Sequence, residues 1–474
     1  MPSSKTWKYG NKIPGPKPIP IVGNGLIFFK AKNFLKNFLE LSYKYGHIYR
    51  LWLGKKLFVI LSDPDDIEKF LSRSTHLNKT ETYRLLDKWL GNKGLLTSDA
   101  DVWRNHRKIL TPAFHFKMLE NSVPTMKKNA QILSQQLEKK INQPEFDIES
   151  FIEKCSLDII SETAMGIMLN TQTSDDTVYL NSLKKILTSF IQRAFQPWLQ
   201  PEFVFKLSTP GKTYFEMLSV INDYNKKIIM NRKITLEKEK IYKPQENNDE
   251  NSRKKPKPFL DILLTESNFT DEEIQDEVHT FMFAGHDTTT SATSFCLYAL
   301  SNNQRVQDKL YDEIKTNLLS KDTEPTYQDY MNMKYLECVI KETMRIYTTI
   351  PMFGRKVEED IQLPSGYTIP KGTLVNFLLI RTHNDERYFP NPTQFKPERF
   401  ENSIKHPYSF LPFSAGLRNC IGQRFAILEM KTVITTLLSK YQFLPATKVT
   451  SIELEMKAVL RSIQKMPLRI VERN

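Results

Sequence analysis

The residues best suited to chemistry fall in one stretch, FSAGLRNCIGQRFA, Phe413 to Ala426. A single cysteine, Cys420, stands there between Gly416 and Gly422, two residues after Arg418. A cysteine is most often a small buried hydrophobe. As a nucleophile it would want a nearby histidine and an electropositive pocket, and neither can be read from sequence. As a lone metal ligand it needs a cofactor that supplies the other donors. Haem does so, with four porphyrin nitrogens and one axial sulfur from the protein. The neighbours suit that third option. Two glycines let backbone approach a flat macrocycle and turn N–H groups toward the sulfur. Arg418 suits a propionate, and Phe413 can pack beside the thiolate. The helix expected after Gly422 would place its N-terminus near the negative charge.

Three other clusters combine chemically useful types. In FAGHDTTT, Phe283 to Thr290, Asp287 and Thr288 interrupt an apolar run. Thr270 and Glu273 have capping-box spacing, so a helix should begin there and run past Gly285. That glycine costs about 1 kcal/mol relative to alanine; close approach to a flat cofactor is one reason to keep it. The plain alternative for the pair is a threonine bonded to backbone and a solvated aspartate. In KETMR, Lys341 to Arg345, Glu342 and Arg345 share a helix face, which by itself means only a surface ion pair. In WRNHR, Trp103 and Arg107 lie four apart and offer an indole N–H and a guanidinium that suit a pair of carboxylates. An exposed basic helix is the alternative there.

These groups need a scaffold, and the patterning predicts a mostly helical one with small sheets. Amphipathic periodicity predicts helices over Phe34–Tyr45, Glu120–Ile141, Phe151–Met168, Ser182–Ala194, Met217–Lys240, Asp271–Leu300, Asn303–Leu318, Tyr335–Tyr347 and Gln423–Lys440. Strands are expected at His47–Leu53, Leu57–Leu61, Tyr367–Ile369 and Leu374–Leu379. The 474 residues are 40% apolar, enough for a large core, and residues 1–474 are expected to form one catalytic domain. Residues 1–24 form a proline-rich lead-in, stiff and extended over Pro14–Pro20. Residues 243–258, KPQENNDENSRKKPKP, read as a disordered surface loop. The net charge of +13 favours an acidic partner or an anionic membrane. With no zinc finger, RNP motif or dominant basic block, nucleic acid is not expected. Four scattered cysteines exclude a disulfide framework and fit a reducing compartment. No apolar run approaches the ~20 residues of a membrane span.

At all its fixed positions FSAGLRNCIG resembles the FxxGxRxCxG loop of the cytochrome P450 superfamily. The runs RKILTPAFHF, FMFAGHDTT and HNDERYFPNPTQFKPERF are similar to family 4, including its insect members. The resemblance spans nearly the whole chain. It implies the P450 fold, with haem between a long distal helix and the helix that follows the cysteine loop. It implies Cys420 as axial ligand of the haem iron, with Phe413, Gly416, Arg418 and Gly422 shaping the loop. Ala284 and Gly285 would line the distal face. Trp103, Arg107 and Arg355 would meet the propionates. Asp287 and Thr288 would be catalytic, delivering protons for O–O cleavage, which consumes them in order. Glu342 and Arg345, joined by Arg399 of FKPERF, would be structural.

The implied activity is hydroxylation of C–H bonds in an apolar substrate (a fatty acid, lipid hormone or xenobiotic). O2 would be consumed, with electrons from NADPH-cytochrome reductase and cytochrome b5 as a further donor. Lys108, Arg104 and Arg424 are candidate reductase contacts. The implied setting is the cytosolic face of the endoplasmic reticulum, on the membrane surface, with the N-terminal anchor missing from this chain. Other family-4 members often carry a glutamate, esterified to haem, where this chain has Ala284; heme b held non-covalently is therefore expected. His279 replaces a usual acid, and Thr348 and Thr349 follow KETMRIY where proline is common. The competing readings are a reductase-independent haem-thiolate isomerase or dehydratase, and a haem gas sensor.

Overall fold

The computed structural model describes residues 4–28, 34–242, 257–449 and 451–473. Its architecture is mostly helical with small separate sheets. The central element is the 32-residue helix Asp271–Asn302. It starts where the capping box says it should. Thr270 accepts from the Glu273 N–H, and Glu273 Oε2 accepts from the Thr270 N–H at 2.8 Å. Asp271, Glu272 and Glu273 then place negative charge at the positive end of the helix dipole. From Val278 to Phe283 and from Thr289 to Ser301 every residue is buried. A helix buried all round must be an internal strut rather than a surface element.

Against this strut pack Glu149–Thr163 and Gln423–Lys440. Gly285 serves the first contact: a Cβ there would come within 2.7 Å of Ile160 Cδ1. This close helix–helix approach is a second reason for glycine at this position, beside the one expected from sequence. Its missing side chain lets two helices close together. The helix Gln423–Lys440 begins three residues after Cys420, with Gly422 at its N-cap, and packs on Phe116–Leu137. Predicted and observed bounds agree for Phe34–Tyr45 and Gln423–Lys440. Elsewhere they drift by a few residues. The helix expected over Asn303–Leu318 ends at Ile314 and continues as a π-helical turn, Lys315–Leu319.

The largest sheet has four strands in the order Ile48–Leu53, Lys56–Leu61, Leu374–Leu378, Met352–Lys356. Its one parallel pairing joins Lys56–Leu61 to Leu374–Leu378, so segments far apart in the chain share one sheet. The lead-in segment is docked on it. Ser4–Gly10 forms a helix that the sequence did not announce, Trp7 contacts Trp52 at 5.1 Å between ring centroids, and Ile13 is buried. The Arg50 N–H donates to Pro14 O at 2.8 Å. Of the loop expected over residues 243–258, residues 243–256 lie outside the described residues.

The Glu342–Arg345–Arg399 group forms as expected, with Glu342 and Arg345 internal and Arg399 partly exposed. Arg345 donates through Nε and Nη2 to the two Glu342 oxygens at 2.7 and 2.9 Å, and Arg399 Nε donates to Oε1 at 3.1 Å. Glu342 and Arg345 have no accessible surface. The spare donors go to carbonyls of Pro390, Asn391, Pro392 and His383, so one buried carboxylate organises the whole run from His383 to Arg399. A buried pair is costly to desolvate but far costlier to break. Glu342→Ala leaves two guanidinium groups inside without their anion. It should lower stability by about 3–5 kcal/mol in denaturant titration; a loss below about 1 kcal/mol would show that the cluster is dispensable.

Candidate active site

The cysteine loop is closed on itself. The Cys420 N–H donates to Phe413 O at 2.9 Å, and the Asn419 N–H to Gly416 O at 3.2 Å. Ser414 and Gly416 both take left-handed backbone, at φ 61° and 71°. Only Gly416 could not be otherwise, because a Cβ there would run into the carbonyl oxygen of Leu71. The backbone it approaches belongs to the end of the helix Pro64–Leu71. Gly422 does serve the sulfur. Its N–H points at Cys420, and a Cβ on it would stand 4.0 Å from Sγ.

Cys155, Cys296 and Cys338 are buried, whereas Cys420 keeps accessible surface. Yet protein atoms surround the Cys420 thiol densely enough that burial, the largest influence, pushes its pKa up. The two facts agree for a sulfur in a recess that a small probe reaches but bulk water solvates poorly. The Gly422 N–H and the Arg107 charge pull the other way and do not win. The thiol therefore needs a stronger Lewis acid than the chain provides to become a thiolate, which a bound metal supplies.

Beside this loop lies a group of cations. Arg418 and Arg355 are buried at 8% and 2% exposure, and Lys79 is partly so. Burial lowers all three: Arg418 to about 9, Arg355 to about 10, and Lys79 well below the lysine range. Arg355 and Arg418 also depress one another's neighbours by like-charge repulsion. The negative partners are weak: Tyr83 acts on both arginines, and Asp99 on Arg418 alone, being itself held by Arg84 at 2.7 Å. Arg418 donates to the carbonyls of Leu77 at 2.7 Å and Ser98 at 2.8 Å and lies over the Trp103 ring at 5.1 Å. A cleft of about 300 Å³, lined by Asn78, Lys79, Arg84 and Asp99 among others, opens beside Lys79.

Two buried arginines and a partly buried lysine, with no buried carboxylate among the described residues that pairs with them, form beside the Cys420 thiol a donor set with a definite complement. A haem fits it on both counts, bringing an iron for the sulfur and two propionates for the cations. Lys79 was not read from the sequence; nothing in its local spacing marks it, and only the fold brings it to Arg355 and Arg418. Arg107 lies against the cysteine loop. Its guanidinium donates to Asn419 O at 2.7 Å and to Asn419 Oδ1 at 2.9 Å, so in this structure it braces the cysteine loop rather than joining the cation group.

On the central helix, Thr288 donates to Ala284 O at 2.9 Å, the ordinary helical bond. That use of the proton leaves its lone pairs available. Asp287 is not solvated but 2% exposed, and its Oδ1 pairs with Arg461 of the strand Leu460–Ser462. Arg461 is a second residue that sequence reading missed. Ala284 presents only a methyl group. His279 Nδ1 accepts from Asn225 Nδ2, 2.8 Å away, and burial pushes the ring down to about 4, so it is a neutral link to the helix Thr209–Tyr242. Thr348, in the place of a proline, meets His383 Nδ1 at 2.9 Å, and His383 Nε2 accepts from the Leu411 N–H.

The cation group generates a prediction with a sign. Arg355 has a lowered folded pKa, so its burial costs stability at every pH below about 10, and the cost fades as pH rises past that value. Arg355→Met should therefore stabilise the cofactor-free protein by about 1 kcal/mol at neutral pH, with the gain shrinking above pH about 10. The same variant should lose added haem faster than wild type. Thermal melting of the cofactor-free protein and haem transfer to apomyoglobin measure the two effects; a destabilised Arg355→Met with unchanged haem retention would contradict the reading.

Comparison with known proteins agrees with this geometry. The Cytochrome P450 family model matches residues 13–468. Cytochrome P450 4c21 of Blattella germanica is 38% identical over 472 residues, covering 98% of this chain and 94% of that protein. Probable cytochrome P450 4s3 of Drosophila melanogaster is 39% identical over 446 residues, 92% of this chain and 87% of the relative. Cytochrome P450 4V2 of Homo sapiens is 36% identical over 483 residues, 99% and 92% respectively. A cysteine loop beside uncompensated buried cations, on a helical scaffold matched along almost its whole length, places this chain in the cytochrome P450 family as a monooxygenase.

Proposed function

We propose that this monooxygenase binds heme b through Cys420 and hydroxylates C–H bonds of a fatty acid or a similar apolar lipid. The observation that carries the cofactor reading is the buried, mutually repelling set Lys79, Arg355 and Arg418 beside the Cys420 loop. In it, Cys420 would bind the iron, and Lys79, Arg355 and Arg418 would hold the propionates, with Trp103 stacked on Arg418. When bound, the haem supplies activation of O2. The chain supplies the rest. Asp287 and Thr288 move and hold protons on the distal side, and Ala284 offers no carboxylate for an ester, so the cofactor is held non-covalently.

Electrons come in this proposal from NADPH-cytochrome reductase, with cytochrome b5 as a second donor. Lys108 and Arg424 are exposed, and Lys108 lies on the helix Ala100–Leu110, whose Arg107 touches the cysteine loop. A basic rim there suits an acidic donor. No helix among the described residues is long and apolar enough to cross a membrane. Exposed apolar side chains nonetheless gather at two segments: Ile19, Ile21, Val22 and Leu26, and Trp198, Phe203 and Leu207. Phe195 stacks on Phe34 at 4.0 Å and contacts Phe28 at 6.2 Å, which joins the two segments. An apolar face of this kind supports seating on a membrane surface, in the proposed setting that of the endoplasmic reticulum.

Two measurements test the proposal. Acid–butanone treatment of the loaded protein should release all haem into the organic layer; haem retained on the polypeptide would overturn non-covalent binding. With reductase and NADPH, a saturated fatty acid should yield hydroxylated product by mass spectrometry, and Lys108→Glu should slow turnover at limiting reductase by about threefold to tenfold. Lipid turnover that proceeds equally well without reductase would contradict the electron route.

A further inference from the structure

Asp287 belongs to a larger buried network. Arg461, which holds its Oδ1, also forms an ion pair through Nη1 with Glu149 Oε1 at 3.1 Å, without hydrogen-bond geometry. Glu153, one turn along the same helix, is bound by Lys184 Nζ at 2.5 Å and interacts electrostatically with Arg461. The chain of charges leads from the surface, where Lys184 is 56% exposed, to Asp287 at 3%. Asp287 Oδ2 is buried and has no hydrogen-bond partner among the described residues.

A purely structural bridge explains this poorly. One guanidinium needs one carboxylate, and here three crowd it: Asp287, Glu149 and Glu153. An orphaned buried carboxylate oxygen costs stability and is not left free without cause. Burial pushes the Glu149 and Glu153 carboxyls up. Arg461 opposes this at both sites and Lys184 at Glu153, while Asp287 reinforces it at both and Asp147 at Glu149. Groups arranged this way take up and give up protons more readily than a fixed ion pair.

We propose that Arg461 is a positioning residue for proton delivery: it anchors Asp287 through Oδ1, leaves Oδ2 free, and couples Asp287 to Glu149, whose carboxyl replaces the proton that Asp287 gives up. In that step the Glu149 O–H bond breaks and an O–H bond forms on the Asp287 carboxylate, directly or through water. Glu149 becomes the carboxylate beside Arg461, and a solvent proton restores it from the Glu153–Lys184 side. Arg461 keeps its charge throughout, and no electrons move. The inference rests on the reading of Asp287 as the relay acid.

The test compares wild type with Arg461→Met, Arg461→Lys, Glu149→Gln and Asp287→Asn as haem-loaded proteins with reductase and lauric acid. Product per NADPH, hydrogen peroxide released and the solvent deuterium isotope effect are measured across pH. Arg461→Met and Glu149→Gln should cut product per NADPH by about tenfold, shift the reduced oxygen to peroxide and enlarge the isotope effect. Arg461→Lys should recover part of the loss. A readout independent of turnover is the infrared carbonyl band of protonated Glu149, identified by its absence in Glu149→Gln. Its titration should move to higher pH in Arg461→Met, because the cation that opposes protonation is gone. Wild-type coupling and isotope effect in Arg461→Met and Glu149→Gln, with both lost in Asp287→Asn, would overturn this inference alone. No effect in Asp287→Asn would overturn the relay reading itself. If Arg461→Met fails to fold, Glu149→Gln, which preserves shape and Arg461, decides the matter.

Discussion

Burying a cation without an anion is one of the more expensive arrangements a folded chain can hold, and here three cations share that condition. Arg355, Arg418 and Lys79 sit close enough to repel one another, and burial drives all three toward deprotonation. The segments on which they stand would relax apart if nothing held them. The cluster therefore constrains its surroundings: everything nearby must be fixed by other interactions. A site strained in this way gives binding energy back to the ligand that neutralises it, which couples cofactor loading to stability.

The surrounding structure is built to that demand. Arg418 gives its donors to the carbonyls of Leu77 and Ser98, so it pins the segments flanking it. Arg107 grips Asn419, next to the cysteine, from the helix Ala100–Leu110. Gly416 lets the loop rest directly on the Leu71 carbonyl. Further out, Glu342 gathers Arg345, Arg399 and the backbone N–H of Lys396 inside the protein. These are polar contacts doing the work of packing. Each is satisfied on most sides, which is the condition under which buried polar groups rigidify a core instead of weakening it.

What could be read from sequence was what is encoded locally. The loop around Cys420, the capping box at Thr270 and Glu273, and the i,i+3 pair Glu342–Arg345 all depend on residues a few positions apart. Their types and spacing carry the signal, and their geometry follows. What escaped was set by contacts across the chain. Lys79 meets Arg355 only because two sheet-bearing segments converge. Arg461 finds Asp287 across 174 positions. Gly285 meets Ile160 on the facing helix, which the helix periodicity could not reveal. Gly416 meets the Leu71 carbonyl, equally hidden from the sequence. In both cases the need for a missing side chain was legible, and these protein neighbours were not. The bond from Arg107 to Asn419 is likewise set by the fold, across 312 positions.

The central claim is that Cys420 acts as a metal ligand in a loop shaped for haem. The most direct measurement is the carbon monoxide difference spectrum of the reduced, purified protein, taken beside Cys420→Ser. The account predicts a strongly red-shifted Soret band in the wild type and its loss in the variant. A band typical of histidine ligation, or an unchanged band in Cys420→Ser, would contradict it.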